Sequence, residues 1–352
     1  MKRTPFLFAK FVLLAAFILA GCNLPRIEWV SATETPTAFV STTITPTDTA
    51  VPPVPTTTTV ELGLAENPLI LTLAPSTTAH TQAQIDAAKV IASQITERTG
   101  YTVVTVIPDS YTALVEAIES GNAHIVLLDP YAYELAYQRG AVQAAYAVLK
   151  DGMGKYGAQF IAAREEGFKS YFNTIIEENF PSADAGLALK QLENKKPCWS
   201  DETSPSGYVI PLGYLNRNQV VTRPAAFVEG HPTVVRSLYA GGICDFGATY
   251  IDARKFPSLE DEFPDLVEQV IVIWRIPDII PYDVLAFSTD MPQGMHDLIS
   301  NTIPAILQTE AGKAAFKTAY DIEELEAVND GYYDDFRIYV NESRVDLSTL
   351  VK

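Results

Sequence analysis

Three hydroxyl residues crowd into four positions of the stretch 201–211, among them Ser204 and Ser206. Gly207 follows, and then an apolar run suited to the first turns of a helix. Serine and threonine favour helix N-caps because their oxygens accept hydrogen bonds from unpaired backbone N–H groups, and Pro205 fits a first helical turn. Such a helix start offers free donors and a partial positive charge, so it could hold an anion. The alternative is a capped turn that binds nothing.

The composition restricts how an anion could be held. The chain has 352 residues, of which 47% are hydrophobic and 19% are charged, which suffices for a sizeable core and for two domains. Its net charge of −18 argues against a nucleic acid or an anionic membrane surface as partner. Local dipoles and hydroxyl groups would therefore have to bind the anion, because the overall field repels it.

The N-terminus has the pattern of an export signal. Basic residues precede the apolar run 11–19, which is too short for a comfortable membrane span. The run ends in Leu-Ala-Gly-Cys, which resembles the bacterial lipobox with Cys22 as the lipid-modified first residue of the mature protein. The alternative is an ordinary cleaved signal that contains a cysteine. We predict a signal peptide over 1–22 and a lipid anchor on the outer face of the membrane, in the periplasm or at the cell surface.

Strands and helices alternate after a linker that is rich in threonine and proline. The linker has no helical period, so we predict that it is disordered. The even strand–helix order that follows predicts a parallel α/β sheet, and a second set repeats it. The predicted fold class is α/β, with two Rossmann-like lobes joined by a two-segment hinge. The predicted divisions are the signal peptide (1–22), the linker (23–66), lobe 1 (67–160 and 277–352) and lobe 2 (161–276).

Two further stretches of the chain bear on this plan. Residues 120–128 resemble residues 241–249, since each is a helix ended by glycine and followed by an apolar strand. Two similar lobes would place both strand ends at one cleft, with Asp129 and Tyr250 following them. The residues from about 292 to 328 are predicted to be helical and to pack back on lobe 1.

Cysteine use fits an exported protein. Cys198 and Cys244 would lie in a compartment where disulfides persist, and we predict a bridge between them; two buried free thiols are the alternative. Neither cysteine has metal-ligand spacing to a histidine or to another cysteine, so no metal site is predicted. We also expect no cofactor and no catalytic residues.

Taken in order, these pieces resemble the phosphate/phosphite/phosphonate substrate-binding proteins of ABC transporters, within the type 2 periplasmic-binding-protein fold. The resemblance covers about residues 68–306. Near the hydroxyl stretch the family typically has Asp-Pro-x-Ser-Thr-Ser-Gly, then an aromatic residue and, a few residues later, proline. The matching segments are 109–121, 129–136, 201–211, 230–231 and 276–283.

The resemblance implies a set of anion contacts. They fall on Ser204 and Ser206 with the backbone N–H groups that follow from Gly207, on Tyr111 and on His231. Hydroxyl and N–H donors suit phosphoryl oxygens, and a histidine can add a proton when the anion is doubly charged. The alternatives are an exposed histidine at a helix start for His231 and a core aromatic side chain for Tyr111.

Two residues depart from the family pattern. Pro205 stands where the family usually has threonine, which removes one hydroxyl and one N–H donor. Asp129 stands where the family usually has a small residue, which places a carboxylate at the cleft. This carboxylate would repel bare phosphate and could pair with an ammonium group, so our hypothesis is a ligand such as an aminoalkylphosphonate.

The sequence therefore predicts a monomeric, lipid-anchored solute-binding protein that passes a phosphonate, phosphite or phosphate to an ABC permease. One alternative is a surface sensor or a degenerate binding protein with another small ligand. The other is a hydrolase, because the hydroxyl cluster and His231 could suggest a nucleophile and a base. Against a hydrolase, the chain has no Gly-x-Ser-x-Gly elbow and no metal-ligand cluster.

Overall fold

Two β-sheets organise the protein. The computed structural model describes residues 60–76 and 78–352, and within them one of these sheets has six strands and the other has five. Residues 172–173 and 178–179 pair as a separate sheet of two short strands. The predicted signal peptide, Cys22 and nearly all of the predicted linker lie outside the described residues. In chain order the strands are β1 (Leu69–Thr72), β2 (Val103–Val106), β3 (Ile125–Leu128), β4 (Val142–Leu149), β5 (Lys155–Ala163), β6 (Phe172–Asn173), β7 (Glu178–Asn179), β8 (Pro197–Trp199), β9 (Ala226–Phe227), β10 (Phe246–Tyr250), β11 (Val270–Pro281), β12 (Val284–Ser288) and β13 (Glu324–Ala327).

Helices connect these strands and cover the sheets. In chain order the α-helices are α1 (Gln82–Thr99), α2 (Tyr111–Glu119), α3 (Pro130–Gln138), α4 (Ala185–Leu189), α5 (Ile210–Arg217), α6 (His231–Ala240), α7 (Pro257–Glu262), α8 (Leu266–Gln269), α9 (Gln293–Leu307), α10 (Glu310–Tyr320), α11 (Asp334–Ser343) and α12 (Leu347–Leu350). The longest, α1, starts with a capping box at Thr81 and ends at Gly100 in the left-handed conformation. Helices α9 and α10 pack against α1.

The six-stranded sheet is mixed, whereas the sequence predicted a parallel one. Its order is β13-β4-β12-β3-β1-β2. Strand β1 is parallel to β2 and β3, and the pairs made by β12, β4 and β13 are antiparallel. The sequence also placed β13 within a helical region. Its residues, Glu-Leu-Glu-Ala, are strong helix formers, and pairing with β4 overrides that local preference.

The five-stranded sheet has the order β11-β5-β10-β8-β9. The chain enters it between β4 and β5 and returns to the six-stranded sheet between β11 and β12. Strands β5 and β11 pair with each other along most of their length. The predicted lobe boundaries at 160 and 277 fall inside these two strands. The two chain crossings lie at the start of β5 and at the end of β11, which are adjacent because the strands are antiparallel. Below, "six-stranded lobe" and "five-stranded lobe" mean each sheet with the helices that pack on it.

The last part of the chain contacts both lobes. The helices α9 and α10, which lie in the predicted helical region of about 292–328, pack on α1 as expected. Helix α11 lies beyond that region and packs on α5, which follows β8 of the five-stranded sheet.

A disulfide joins Cys198 to Cys244, with 5.6 Å between their Cα atoms, which confirms the predicted bridge. Cys198 lies in β8, and Cys244 lies just before β10, the parallel neighbour of β8. Both cysteines are buried. The disulfide thus fixes the strand from which the hydroxyl stretch emerges.

Candidate functional site

The hydroxyl stretch forms a turn between β8 and α5. Ser204 caps it, and its Oγ accepts a hydrogen bond of 2.9 Å from the N–H of Gly207. Residues 205–209 form one wide turn of π-helix, with Pro205 at its first position, before α5 begins. Ser204 and Ser206 are both buried. The predicted helix start is therefore present, and it takes the form of a π-helical turn that leads directly into α5.

Gly207 allows two groups to approach the turn closely. A Cβ atom at this position would overlap the side chain of Ser200 and would lie 2.9 Å from Cε1 of His231. The Ser200 side chain is fully buried, and its hydroxyl has no hydrogen-bond partner among the described residues. Gly207 is thus required by close packing at the point where the predicted anion contacts meet.

His231 is the first residue of α6 and faces the turn. Gly230 precedes it with a φ of 94°, a conformation that favours glycine. The Nε2 atom of His231 lies 3.4 Å from Oγ of Ser204, and its ring packs edge-on against Tyr250, with the ring centroids 4.8 Å apart. Burial lowers the pKa of His231, and the charge of Asp201 acts in the opposite direction. The imidazole is therefore neutral at pH 7, and its Nδ1 atom has no partner among the described residues.

Tyr156 adds a residue that the sequence did not suggest. It lies near the start of β5, and the side chain of Ser206 is close enough to its phenol to affect the pKa. Burial raises the pKa of Tyr156 to about 12, although the side chain of Ser206 acts against the rise. The phenol stays protonated at neutral pH and joins the neutral polar groups around the turn.

Asp129 lies on the other side of this region, as the N-cap of α3. Its Oδ1 atom accepts hydrogen bonds of 2.8 Å from the N–H groups of Tyr131 and Ala132. Strands β3 and β12 pair with Leu128 opposite Val284. Asp129 and Asp283 are therefore neighbours at the adjoining ends of these two strands. Burial raises the pKa of Asp129 to about 6, and the charge of Asp283 acts in the same direction.

Asp283 forms the second half of this acidic pair. Burial raises the pKa of Asp283, and the charge of Lys150 acts in the opposite direction. The sequence singled out the segment that contains Asp283 but gave this residue no role. The two carboxylates share one partly buried environment, and each makes ionisation of the other less favourable.

Tyr111 belongs to the acidic side. Burial raises the pKa of its phenol above the usual range, and the charges of Asp129 and Asp283 add to the rise. The backbone N–H of Tyr111 donates to the carbonyl of Lys352 at 2.9 Å. The first N–H of α2 is therefore occupied by the chain itself, and only the Tyr111 side chain is left for a ligand.

Tyr131 is a buried aromatic residue of α3, two positions after Asp129. It is 4% exposed, and its hydroxyl has no hydrogen-bond partner among the described residues. Burial is the main reason that the pKa of Tyr131 is raised, and Tyr156, Asp129 and Asp201 raise it further. Its phenol therefore lies near groups from both lobes.

The structure sorts the seven predicted ligand-binding residues into two groups. One lies around the turn and the other beside the acidic pair, and residues overlooked in the sequence join both groups. The turn side contains Ser204, Ser206, Gly207, His231 and Tyr250, joined by Ser200 and Tyr156; the acidic side contains Tyr111 and Asp129, joined by Asp283 and Tyr131. Within the described residues, no cluster of histidine, cysteine and carboxylate side chains could hold a metal ion.

The arrangement of two α/β sheets, two chain crossings and polar groups between them defines a two-lobed binding protein of the type 2 periplasmic-binding-protein fold. A solved structure of XAC2383 from Xanthomonas citri, bound to chloride ion, has a TM-score of 0.55 and 16% sequence identity, and covers 80% of this chain and 98% of that chain. XAC2383 bound to ATP gives a TM-score of 0.54 at 14% identity, with the same coverage. These similarities support the fold.

The chain belongs to the family described as ABC transporter, phosphonate, periplasmic substrate-binding protein, whose profile matches residues 74–333. This family consists of substrate-binding transport proteins and not of enzymes. The phosphate-import protein PhnD of Mycolicibacterium smegmatis is 27% identical over 201 residues, which are 54% of this chain. The match spans 57% of the length of that relative.

Proposed function

We propose that this protein is a lipid-anchored solute-binding protein that captures a phosphonate, or a related phosphoryl anion, between its lobes and delivers it to an ABC permease. The observation that carries the proposal is the convergence of Ser204, Ser206 and His231 around the closely packed Gly207. The family description and the name of the mycobacterial relative support a ligand of this class. Closure of the lobes around the ligand would follow from bending at the paired strands β5 and β11.

Neutral donors suit the anionic end of such a ligand. The turn offers backbone N–H groups and hydroxyls at a helix start, where negative charge is favoured. His231 is neutral in the free protein, and a doubly charged phosphoryl group beside it would raise its pKa and favour the imidazolium form. The proton that His231 then gains would strengthen its hydrogen bond to the ligand.

The acidic pair supports a cationic group at the other end. Asp129 and Asp283 adjoin each other, and an ammonium group between them would relieve their mutual repulsion. A bare phosphate beside two ionised carboxylates would be repelled. We therefore favour an aminoalkylphosphonate over phosphate or phosphite as the ligand.

The lipid anchor rests on the residues before and at Cys22. Among the described residues, no helix combines the length and the apolar character needed to cross a bilayer. The substitution Cys22→Ser is expected to move the protein from the membrane fraction to the soluble fraction. If the variant stays in the membrane fraction, Cys22 does not carry the anchor.

Calorimetric titration of the purified protein with 2-aminoethylphosphonate, phosphite and phosphate tests the ligand. We expect binding of all three, with 2-aminoethylphosphonate the tightest. Tightest binding of phosphate would contradict the role of the acidic pair but leave the anion site intact. If none of the three ligands binds, the proposed function is wrong.

A further inference from the structure

We propose that residues 329–352, here called the clasp, hold the two lobes together and that ligand exchange requires the clasp to release α5. The family profile ends at residue 333, so α11 and α12 lie beyond the matched region. In this structure the clasp contacts both lobes beside the candidate site. The proposal concerns how the cleft opens, and it does not depend on which ligand the site binds.

Two kinds of contact fix the start of the clasp to the six-stranded lobe. Asp330 accepts hydrogen bonds from the phenol of Tyr133 and, at 3.0 Å, from the N–H of Ala144. Arg337 of α11 reaches both carboxylate oxygens of Glu134 in α3, at 3.0 and 2.9 Å. The Glu134 side chain is only 1% exposed. This buried carboxylate depends on Arg337 for its charge partner.

The end of the clasp returns to the same lobe. The carbonyl of Lys352 accepts the N–H of Tyr111 at 2.9 Å, and the carbonyl of Val351 accepts the hydroxyl of Thr112 at 3.1 Å. Between these two attachments the clasp passes close to the hydroxyl turn. A cavity of about 200 Å³ lies between the clasp and the hydroxyl turn, with Tyr208 on the turn side and Leu350 on the clasp side.

Contacts with the five-stranded lobe are concentrated on α5. Tyr339 stacks on Tyr214, with ring centroids 3.8 Å apart and an angle of 6° between the planes. The side-chain amide of Asn216 donates to the carbonyls of Glu342 and Ser343 at 2.9 and 3.1 Å. Gly213 makes this approach possible, because a Cβ atom there would overlap the backbone carbonyl of Tyr339.

The chemistry of the two attachments decides which one opens. Separation from α3 would leave the buried carboxylate of Glu134 without Arg337, and an unpaired buried charge is strongly unfavourable. Separation from α5 breaks one aromatic stack and frees one side-chain amide and two carbonyls. These polar groups are neutral and can bond to water, so no buried charge is left unpaired. The ion pair between Arg217 and Glu342 is solvent-exposed and adds little. The clasp therefore moves with the six-stranded lobe and releases at α5.

The test compares Tyr339→Ala with Tyr339→Phe, which keeps the ring stack. Gly213→Ala is a second disrupting variant, from the α5 side. Without ligand, we expect small-angle X-ray scattering to show a larger radius of gyration for Tyr339→Ala and Gly213→Ala than for wild type and Tyr339→Phe. Hydrogen exchange of the α11 amides should become about tenfold faster in the two disrupting variants, while the α1 amides keep their protection. For 2-aminoethylphosphonate as the probe, stopped-flow dissociation should be about tenfold faster as well.

Two results would overturn the proposal. The first is an unchanged scattering profile in both disrupting variants, which would show that the lobes stay together without the contact to α5. The second is an equal loss of protection in α1 and α11, which would show a general loss of stability in place of local release. Because scattering and exchange are measured without ligand, they remain informative even if 2-aminoethylphosphonate does not bind.

Discussion

The two sides of the candidate site differ in charge. Around the turn after β8, the polar groups are neutral donors: Ser204 and Ser206, the protonated phenol of Tyr156, and His231, whose pKa burial lowers. At the opposite side stand two adjoining carboxylates, Asp129 and Asp283. Neither side alone specifies a ligand. Together they match a small molecule with an anionic and a cationic end.

This difference also explains how an acidic protein could bind an anion. The turn side uses helix-start donors, which keep their polarity whatever the net charge of the chain. The acidic side would make a bare anion less favourable and a zwitterion more favourable. Selectivity would then come from the carboxylates, and affinity for the phosphoryl group would come from the turn.

The largest expected effect concerns the stability of the protein when Asp129 is replaced by asparagine. The folded-state pKa of Asp129 is about 6, above the value of about 3.9 for an unperturbed aspartate. The folded protein thus binds this proton more tightly than the unfolded chain, so stability is fully present below pH 4 and is lost as pH rises through 6. About two pKa units correspond to about 3 kcal/mol.

Asparagine can retain the N-cap acceptor without the charge. We therefore expect Asp129→Asn to be up to about 3 kcal/mol more stable than wild type at pH 8 and nearly equal to it at pH 4. Urea denaturation at both pH values measures the difference. An equal difference at the two pH values would show that the charge of Asp129 costs nothing in the folded protein.

On the turn side, Gly207→Ala should disrupt the donors. Its Cβ would displace Ser200 and His231, and overpacking of this kind should lower affinity for methylphosphonate about a hundredfold. Gly294→Ala is the matched control, because a Cβ at Gly294 meets nothing within 4 Å. Calorimetry measures both variants. Unchanged affinity in Gly207→Ala would place the anion elsewhere.

A smaller effect is expected from Ser204→Ala. This change removes an N-cap and the hydroxyl beside His231, so we expect a loss of about 1 kcal/mol in stability and about a tenfold loss of affinity for methylphosphonate. Thr309→Ala is the matched control, because Thr309 caps the remote helix α10 in the same way. It should lose similar stability and no affinity. If both variants bind methylphosphonate as wild type does, Ser204 is only a cap.

The sequence indicated most of the fold because the local signals agree with the final structure. Strands β1, β2 and β3 are short apolar runs between helices with clear ends, and they form the parallel part of the sheet as predicted. Two of the antiparallel strands, β4 and β13, were missed for different reasons. Strand β4 is rich in alanine and has no alternating pattern, and β13 consists of helix-forming residues on an edge. Their pairing depends on contacts distant in sequence.

The candidate site was predictable on the side where its residues are close together in the chain. Ser204, Ser206 and Gly207 lie in one motif, and the structure brings His231 beside them. Asp283 was missed because its proximity to Asp129 follows from the register between β3 and β12. The clasp was missed because its contacts with α5 join residues far apart in the chain. Arg217 and Glu342, for example, are 125 positions apart, and such contacts leave no local pattern.

The most direct test of the two-sided site compares 2-aminoethylphosphonate with methylphosphonate, which lacks the ammonium group, in wild type and in Asp129→Asn. We predict that wild type prefers 2-aminoethylphosphonate. In Asp129→Asn that preference should fall at least about tenfold while affinity for methylphosphonate stays the same or rises. Calorimetric titration at pH 8, where Asp129 is ionised, gives both affinities. An equal change in affinity for the two ligands, or no preference in wild type, would contradict the assignment of the cationic group to the acidic side.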